Sequence, residues 1–388
     1  MSKEQAKSTI RTFALASFLN DFGSDMIYPV WPVFVSAVLG ADLTVLGFLD
    51  GLGDAIVSVS QAASGYVSDR IRKRKVFVWT GYLLGSASRM GYSLSTAWQH
   101  LVPFRIMDRA GKMRGAPRDA MIADESTREN RGRNFGLLRA IDNLGAVCGI
   151  IVCTVVLYFG LLDFRKLFFF ASIPSILGAL LILLLIKEKR LALGRICKGL
   201  SFKDLDGNFR LFLSLSAFFA LGSFSYSFLL LIAECIGFGV QFLPLLYLLF
   251  TAVASLVSLP FGKLSDKIGR RFVLMLSYVL WGLVSLTLIL IQSYWAVVLC
   301  FVLYGLHKGT LDPVQRTLVS ELAPRDYKAS SLGGFQLVVG LCALPSSLIT
   351  GLLWDQTKSF VTSLYLSLCL TFLALLMLLF VKEKQTLN

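Results

Sequence analysis

Four ionisable residues, Arg105, Asp108, Arg109 and Lys112, follow the spacing i, i+3, i+4, i+7 within the stretch FRIMDRAGKMRGAPRDAMIAD, Phe104 to Asp124. On an α-helix that spacing puts all four on one face. Guanidinium forks beside an ammonium suit a carboxylate or phosphate ligand. A second face, in YGLHKGTLDPVQR, carries Tyr304, His307, Lys308 and Asp312 at i, i+3, i+4, i+8. The eight residues are expected to form a binding set for a small anion, as two cationic faces turned toward each other. Two structural alternatives stay open. Asp108 could pair with Arg105 and Arg109 simply to hold helices together, which leaves Lys112 unexplained. His307 could equally be a hydrogen-bonded packing residue or a proton carrier.

Carboxylates cluster elsewhere. Asp21, Asp25 and Tyr28 share one helical face, Asp50, Asp54, Ser58 and Gln61 another, and Arg139, Asp142 and Asn143 a third. A carboxylate in a low-dielectric site can take up and release protons. Asp21, Asp25, Asp54 and Asp142 are therefore the expected proton-coupling residues, with Asp50 nearer the outer surface. The alternative has Asp21 or Asp54 only neutralising Arg89, Arg105 or Arg139. Arg114, Arg118, Asp119 and Asp124 are expected to build an inner gate from salt bridges.

Such charges need a scaffold, and the composition says which. The chain has 388 residues, 55% of them hydrophobic and 16% charged, with a mean hydropathy of +0.69. That is an integral membrane protein. Apolar runs of about 20 residues recur throughout, and the alternation of a membrane barrel is missing. The expected helices are 13–39, 44–68, 76–95, 98–123, 134–159, 165–186, 208–233, 240–262, 272–291, 294–320, 330–353 and 360–381. This is an all-α membrane protein with twelve transmembrane helices in two pseudo-symmetric six-helix bundles, 1–186 and 208–388, joined by a cytoplasmic linker at 187–207. Pro29 and Pro32 in the first helix, and Pro244 and Pro260 in the eighth, can kink their helices. No removable signal peptide is expected.

The net charge of +14 could suggest nucleic acid, but the basic residues fall in the loops between alternate helices, at 70–75, 127–133, 187–203, 266–271 and the tail. The positive-inside rule then places both termini in the cytoplasm. The seven cysteines show no C-x-x-C spacing and no histidine cluster, so neither a disulfide framework nor a metal site is expected. No G-x-S-x-G, phosphate-binding glycine loop or H-E-x-x-H is present. The expectation is no enzyme and no cofactor.

The halves repeat one another. GYVSDRIRKRK (Gly65 to Lys75) follows the second helix and GKLSDKIGRRF (Gly262 to Phe272) the eighth, while Asp124 and Glu321 end the fourth and tenth. Such duplication is a transporter architecture. The two loops resemble the signature loops of the major facilitator superfamily, Gly-x-x-x-Asp-Arg/Lys-x-Gly-Arg-Arg/Lys. The second copy matches through Gly262, Asp266, Lys267, Gly269, Arg270 and Arg271. The first matches at Gly65, Asp69, Arg70, Lys73 and Arg74 and has Arg72 in place of the second Gly. Gly145 and Gly149 stand where the superfamily's antiporters carry a Gly-Pro motif, with Ala146 in place of its Pro, or they simply allow close packing. NDFGSDMIYPVWPVF, GLGDA, DRAGKMRGAPRDAMIAD and RAIDNLGAV resemble a bacterial group of poorly defined substrate, which typically has Glu where this chain has Asp25, Asp50 and Asp54.

The resemblance implies alternating access, gated by Gly65, Asp69, Arg70, Lys73, Asp124, Gly262, Asp266 and Arg270. Asp69 would meet the start of the eleventh helix, and Arg70 or Lys73 would meet Asp124. The expected protein is a monomeric inner-membrane symporter of a small organic anion or an anionic metal chelate such as a carboxylate siderophore. Its partners would be that solute, protons and the lipid bilayer, with no nucleic acid. Proton-driven efflux of lipophilic cations, and a non-transporting membrane sensor of the same fold, are the alternatives.

Overall fold

The computed structural model describes residues 3–71, 73–127, 131–188, 206–323 and 328–383, leaving out the side chains of 3–7, 69, 131, 132 and 328–330. The expected linker and Arg72 therefore lie largely or wholly outside the described residues, as does the Asp69 side chain. Every regular element described is helical. Nine spans among the described residues are long and apolar enough to cross a membrane. Three expected spans, 13–39, 76–95 and 98–123, fall outside those nine. The first and third are interrupted and charged, and 76–95 is rich in small polar residues.

The interruptions have local causes. α1 (Lys3–Asp25) stops short of α2 (Trp31–Val33), which continues as a π-turn at Phe34–Val38. Pro29 and Pro32 supply no amide hydrogen for carbonyls four residues back, and the chain turns instead through bonds such as Val30 N–H to Ile27 O at 3.0 Å. After α3 (Leu43–Ile71) and α4 (Lys75–Leu94), the expected fourth helix is two helices, α5 (Leu101–Ala110) and α6 (Gly115–Asp124), joined by a 3-10 turn over Gly111–Arg114. Pro117 cannot bond the carbonyl of Met113, and the ladder tightens there. α7 (Arg131–Tyr158) and α8 (Phe164–Leu185) complete the first half.

In the second half the order is α9 (Gly207–Gly222), α10 (Tyr226–Ile236), α11 (Leu243–Ile268), α12 (Arg270–Leu290), α13 (Tyr294–Leu322), α14 (Lys328–Thr357) and α15 (Phe360–Leu378). The expected kink at Pro260 gives no break, because α11 runs through it. The break falls instead between α9 and α10, where there is no proline. There the freed Gly222 carbonyl accepts from Trp281 Nε1 at 3.3 Å and from the Ser367 hydroxyl.

The chain divides into two compact units. One holds Met1–Ala41, Ile56–Ile196 and Val240–Pro244, and the other Asp42–Ala55, Cys197–Gly239 and Leu245–Asn388. In the first, α1 packs on α7 and α8, and α4 on α5 and α8. In the second, α9 packs on α14 and α15, and α12 on α13 and α15. These are the same pairings at the same places in the helix order. The α1–α7 contact is closed by Gly145 and Gly149, where a Cβ would stand 2.5 Å from Phe18 O and 2.2 Å from Phe22 O. That is the packing role open to these glycines in the sequence.

Each unit also repeats one cap. Glu188 accepts from the amides of Arg74 and Lys75 at 2.9 and 3.0 Å, completing the start of α4. Glu383 accepts from the amide of Arg271 at the start of α12. The opening turn of α3 belongs to the second unit, where Asp355 of α14 accepts from the amides of Leu43 and Thr44 at 3.2 and 2.7 Å.

Candidate functional site

In the first unit the structure brings together Arg105, Asp108, Arg109 and Lys112, one helical face carried across the end of α5 into the 3-10 turn. Arg105 is 1% exposed, and its guanidinium carbon lies 4.3 Å from the Trp31 ring centre. Arg109 lies over Tyr28 at 5.1 Å and Lys112 over the same ring at 6.0 Å. Stacked cations are held by the ring quadrupole while keeping hydrogen-bonding edges for other groups. Asp108 is 4% exposed. Its Oδ2 stands 3.6 Å from Arg109 Nε and makes no hydrogen bond among the described residues. Residues i and i+1 point about 100° apart on a helix, so this pair is long by construction.

Arg89 of α4 sits beside this group, fully enclosed. It donates to Ser24 Oγ at 2.7 Å, Asn20 Oδ1 at 3.3 Å, Ala171 O at 3.4 Å and the Ser175 hydroxyl. The bonds from its two terminal nitrogens all go to neutral acceptors, which tie α4 to α1 and α8. Asp21 accepts from Asn20 Nδ2 at 2.8 Å. Both Asp21 and Asp25 are half-buried on α1.

A second polar group in this unit gathers around Arg118 of α6. Its Nε and Nη2 lie 3.0 Å from Asp119 Oδ1, its Nη1 donates to Ser17 Oγ at 2.8 Å, and its Nη1 is 3.6 Å from Asp142 Oδ2 of α7. The Ser17 hydroxyl also meets Tyr82 OH at 2.9 Å. Arg114 stacks over Tyr82 at 4.8 Å and donates to Gly111 O at 2.9 Å. Of the four residues expected to gate, Arg114, Arg118 and Asp119 thus serve this internal network and its surroundings. Asp124 alone reaches the basic loop. The cation it meets is Arg74, at 2.6 Å, and not Arg70 or Lys73. Arg74 stands at the N-cap of α4, beside the end of α6, whereas Arg70 and Lys73 are exposed.

The second unit carries the matching ion contacts. Arg270 binds Asp266 and Glu321, each at 2.6 Å, so Glu321 is the counterpart of Asp124. Gly65 and Gly262 lie near the ends of α3 and α11.

The α13 face departs from the sequence expectation. His307 is 0% exposed, and its Nδ1 contacts Ser277 O at 2.8 Å within rings of Phe219, Trp281 and Tyr304. It is enclosed in packing and not presented to a ligand. Lys308 is half-buried, 5.9 Å from the Tyr304 ring centre, with Asp54 and Asp312 acting on it electrostatically. Two carboxylates around one ammonium do not make a cationic face, so the expectation of two such faces is corrected to one. Asp50, buried, accepts from Ser225 Oγ at 2.7 Å at the start of α10. Sequence reasoning missed the Trp31 and Tyr28 platforms, which sit one helix away from the cations they hold. It missed Ser17 and Tyr82 for the same reason.

A helical membrane protein with helix pairings that recur in both units, matching ion pairs at the basic loops and an ionisable interior is built as a solute carrier. The chain belongs to the Major Facilitator Superfamily, whose family model matches residues 13–196 and 211–388. It is a multi-pass membrane transporter and not an enzyme. It is 36% identical over 385 residues to an uncharacterised MFS-type transporter of Methanocaldococcus jannaschii, covering 97% of this chain and 96% of the relative. Its fold is similar to that of the nucleoside transporter NupG, solved as a point mutant (TM-score 0.79, 13% identity, 97% of this chain and 100% of that one). It is also similar to a bacterial homologue of the human lysosomal transporter Spinster (TM-score 0.75, 16% identity, 100% of both chains).

Proposed function

We propose that this transporter moves a small organic anion, or an anionic metal chelate such as a carboxylate siderophore, across the cell inner membrane by alternating access, coupled to protons. The observation that carries the reading is the face of Arg105, Asp108, Arg109 and Lys112, three cations against one carboxylate, seated on Trp31 and Tyr28. Each charge at the bilayer centre costs about 2.5–3.5 kcal/mol. A surplus of positive charge is best compensated by an anion that comes and goes. Arg109 and Lys112, partly exposed, would meet the substrate, and the enclosed Arg105 would add field.

Twelve crossings, cytoplasmic termini and a monomeric state complete the proposal, supported by the loop charge pattern and the repeated pairings. Arg74 with Asp124, and Arg270 with Asp266 and Glu321, are the proposed cytoplasmic gate, joined by Asp69. Asp21, Asp25, Asp54 and Asp142 are the proposed proton-coupling candidates. Efflux of a lipophilic cation is a second reading, favoured by Asp54 and Asp312 beside Lys308.

The test is flux into proteoliposomes with and without a pH gradient, using radiolabelled mono-, di- and tricarboxylates, ferric citrate and tetraphenylphosphonium as probes. Saturable carboxylate or chelate flux supports the anion reading. Tetraphenylphosphonium flux alone overturns it in favour of the second.

A further inference from the structure

The Arg118 group has features that an inert salt bridge does not need. Asp142 is 7% exposed, and its Oδ1 makes no hydrogen bond among the described residues. Its other oxygen lies 3.6 Å from Arg118 Nη1, and the Ser17 side chain also hydrogen-bonds the carboxylate. Arg118 turns its better edge to Asp119, with two nitrogens at 3.0 Å. Asp119 is the next residue on the same helix, so that contact ties α6 to nothing else. Asp142 belongs to α7, so the longer contact is the one that joins two elements.

Among the described residues, the charged groups acting on Asp142 are Arg118 of α6, Asp21 of α1 and, from α7 itself, the exposed Arg139, with Asp119 on the far side of Arg118. Ser17 of α1 lies beside them, its hydroxyl engaged by Arg118 and Tyr82. Asp21, Asp119 and Asp142 all act on the one buried guanidinium of Arg118. Asp119 is 40% exposed, whereas Asp142 is enclosed, and a buried charge left incompletely compensated is costly.

We propose that Asp142 is the proton-binding carboxylate of this transporter, and that Arg118, held throughout by Asp119, is the positioning residue whose contact with Asp142 is made or lost according to whether Asp142 carries a proton. The step balances simply. A proton adds to the open Oδ1, the carboxylate becomes neutral, the 3.6 Å ion contact is lost, and Arg118 stays with Asp119. Loss of the proton restores the contact. One proton therefore decides whether α6 is tied to α7. The assignment rests on the proton-coupled reading above and selects one group from its four candidates.

The experiment is an infrared pH titration of the full chain in lipid nanodiscs, following the protonated-carboxyl stretching band, with circular dichroism to confirm folding of each variant. Asp142→Asn should remove one titrating band. Arg118→Gln should move its midpoint up by about one pH unit, a tenfold gain in proton affinity. Asp119→Asn should move it down, because Arg118 then serves Asp142 alone. Arg118→Lys, which keeps the charge, should return the midpoint toward the wild-type value. A band that survives Asp142→Asn overturns the assignment, as do Arg118→Gln and Asp119→Asn shifts of the same sign. Proteoliposome flux that ignores a pH gradient while the band still titrates and disappears in Asp142→Asn would instead overturn the proton-coupled reading and leave Asp142 as a proton site.

Discussion

Replacing Arg109 with Gln separates an anion site from an internal ion pair. The Arg109 guanidinium lies 5.1 Å from the Tyr28 ring centre, and its Nε is 3.6 Å from Asp108 Oδ2. At an effective dielectric of about 20, two unit charges at that separation attract by roughly 4–5 kcal/mol. Arg105, Lys112 and Arg89 also act on Asp108, so removing Arg109 does not strand the carboxylate, and the unliganded protein should lose no more than about 2 kcal/mol. Binding should suffer far more. Truncating one partner of a desolvated charge contact costs roughly 2–5 kcal/mol, which is about a thirtyfold to few-thousandfold loss of affinity. The assay is thermal unfolding of purified protein in nanodiscs, with and without the carboxylate that shows flux. Arg109→Gln should keep most of its stability and lose carboxylate-dependent stabilisation. Unchanged carboxylate affinity would refute the cationic site. Severe destabilisation by Arg109→Gln, repaired in the double variant with Asp108→Asn, would show that the pair is structural.

Three further outcomes follow from the loop charges and the geometry already described. A reporter fused after Asn388 should be active only in the cytoplasm, and a signal from the opposite side would overturn the orientation read from the loop charges. Arg270→Gln breaks the contacts to Asp266 and Glu321 at 2.6 Å; partly exposed pairs contribute about 0–1 kcal/mol each, so folded yield should hold while flux falls, and normal flux would remove the gating role. Asp355→Ala takes the acceptor from the amides of Leu43 and Thr44 and should cost about 0.5–2 kcal/mol in thermal unfolding, an unchanged transition counting against the cap.

Helical periodicity made much of this legible. The spacing of Arg105, Asp108, Arg109 and Lys112 gave one face because 3.6-residue geometry is local, and the two signature loops exposed the repeat because they are copies. Contacts between distant segments were not legible. Asp355 caps a helix start 311 residues away, and no spacing rule relates them. Arg74, and not Lys73, meets Asp124 because the choice depends on where α4 begins, which Glu188 helps to fix. His307 matched the period of a binding face, yet Ser277 and three aromatic rings enclose it. The α9–α10 break has no proline to announce it, since its freed carbonyl is satisfied by Trp281 and Ser367 from other helices.

The two glutamate caps bear on how the chain is made. Glu188 lies 114 residues after the amide it receives at Arg74, and Glu383 112 residues after its partner at Arg271. The third long helix of each half therefore has an incomplete first turn until the sixth has been synthesised and its trailing residues have come back to meet it. Each half carries its own closing stitch, placed at the last point where that half can be finished. During vectorial synthesis, in which amino-terminal segments fold first, the earlier stitch can be drawn tight while the second half is still being made. The duplicated sequence thus encodes two successive assembly events, each ended by a carboxylate finding a pair of backbone amides or, in the second copy, the amide of Arg271.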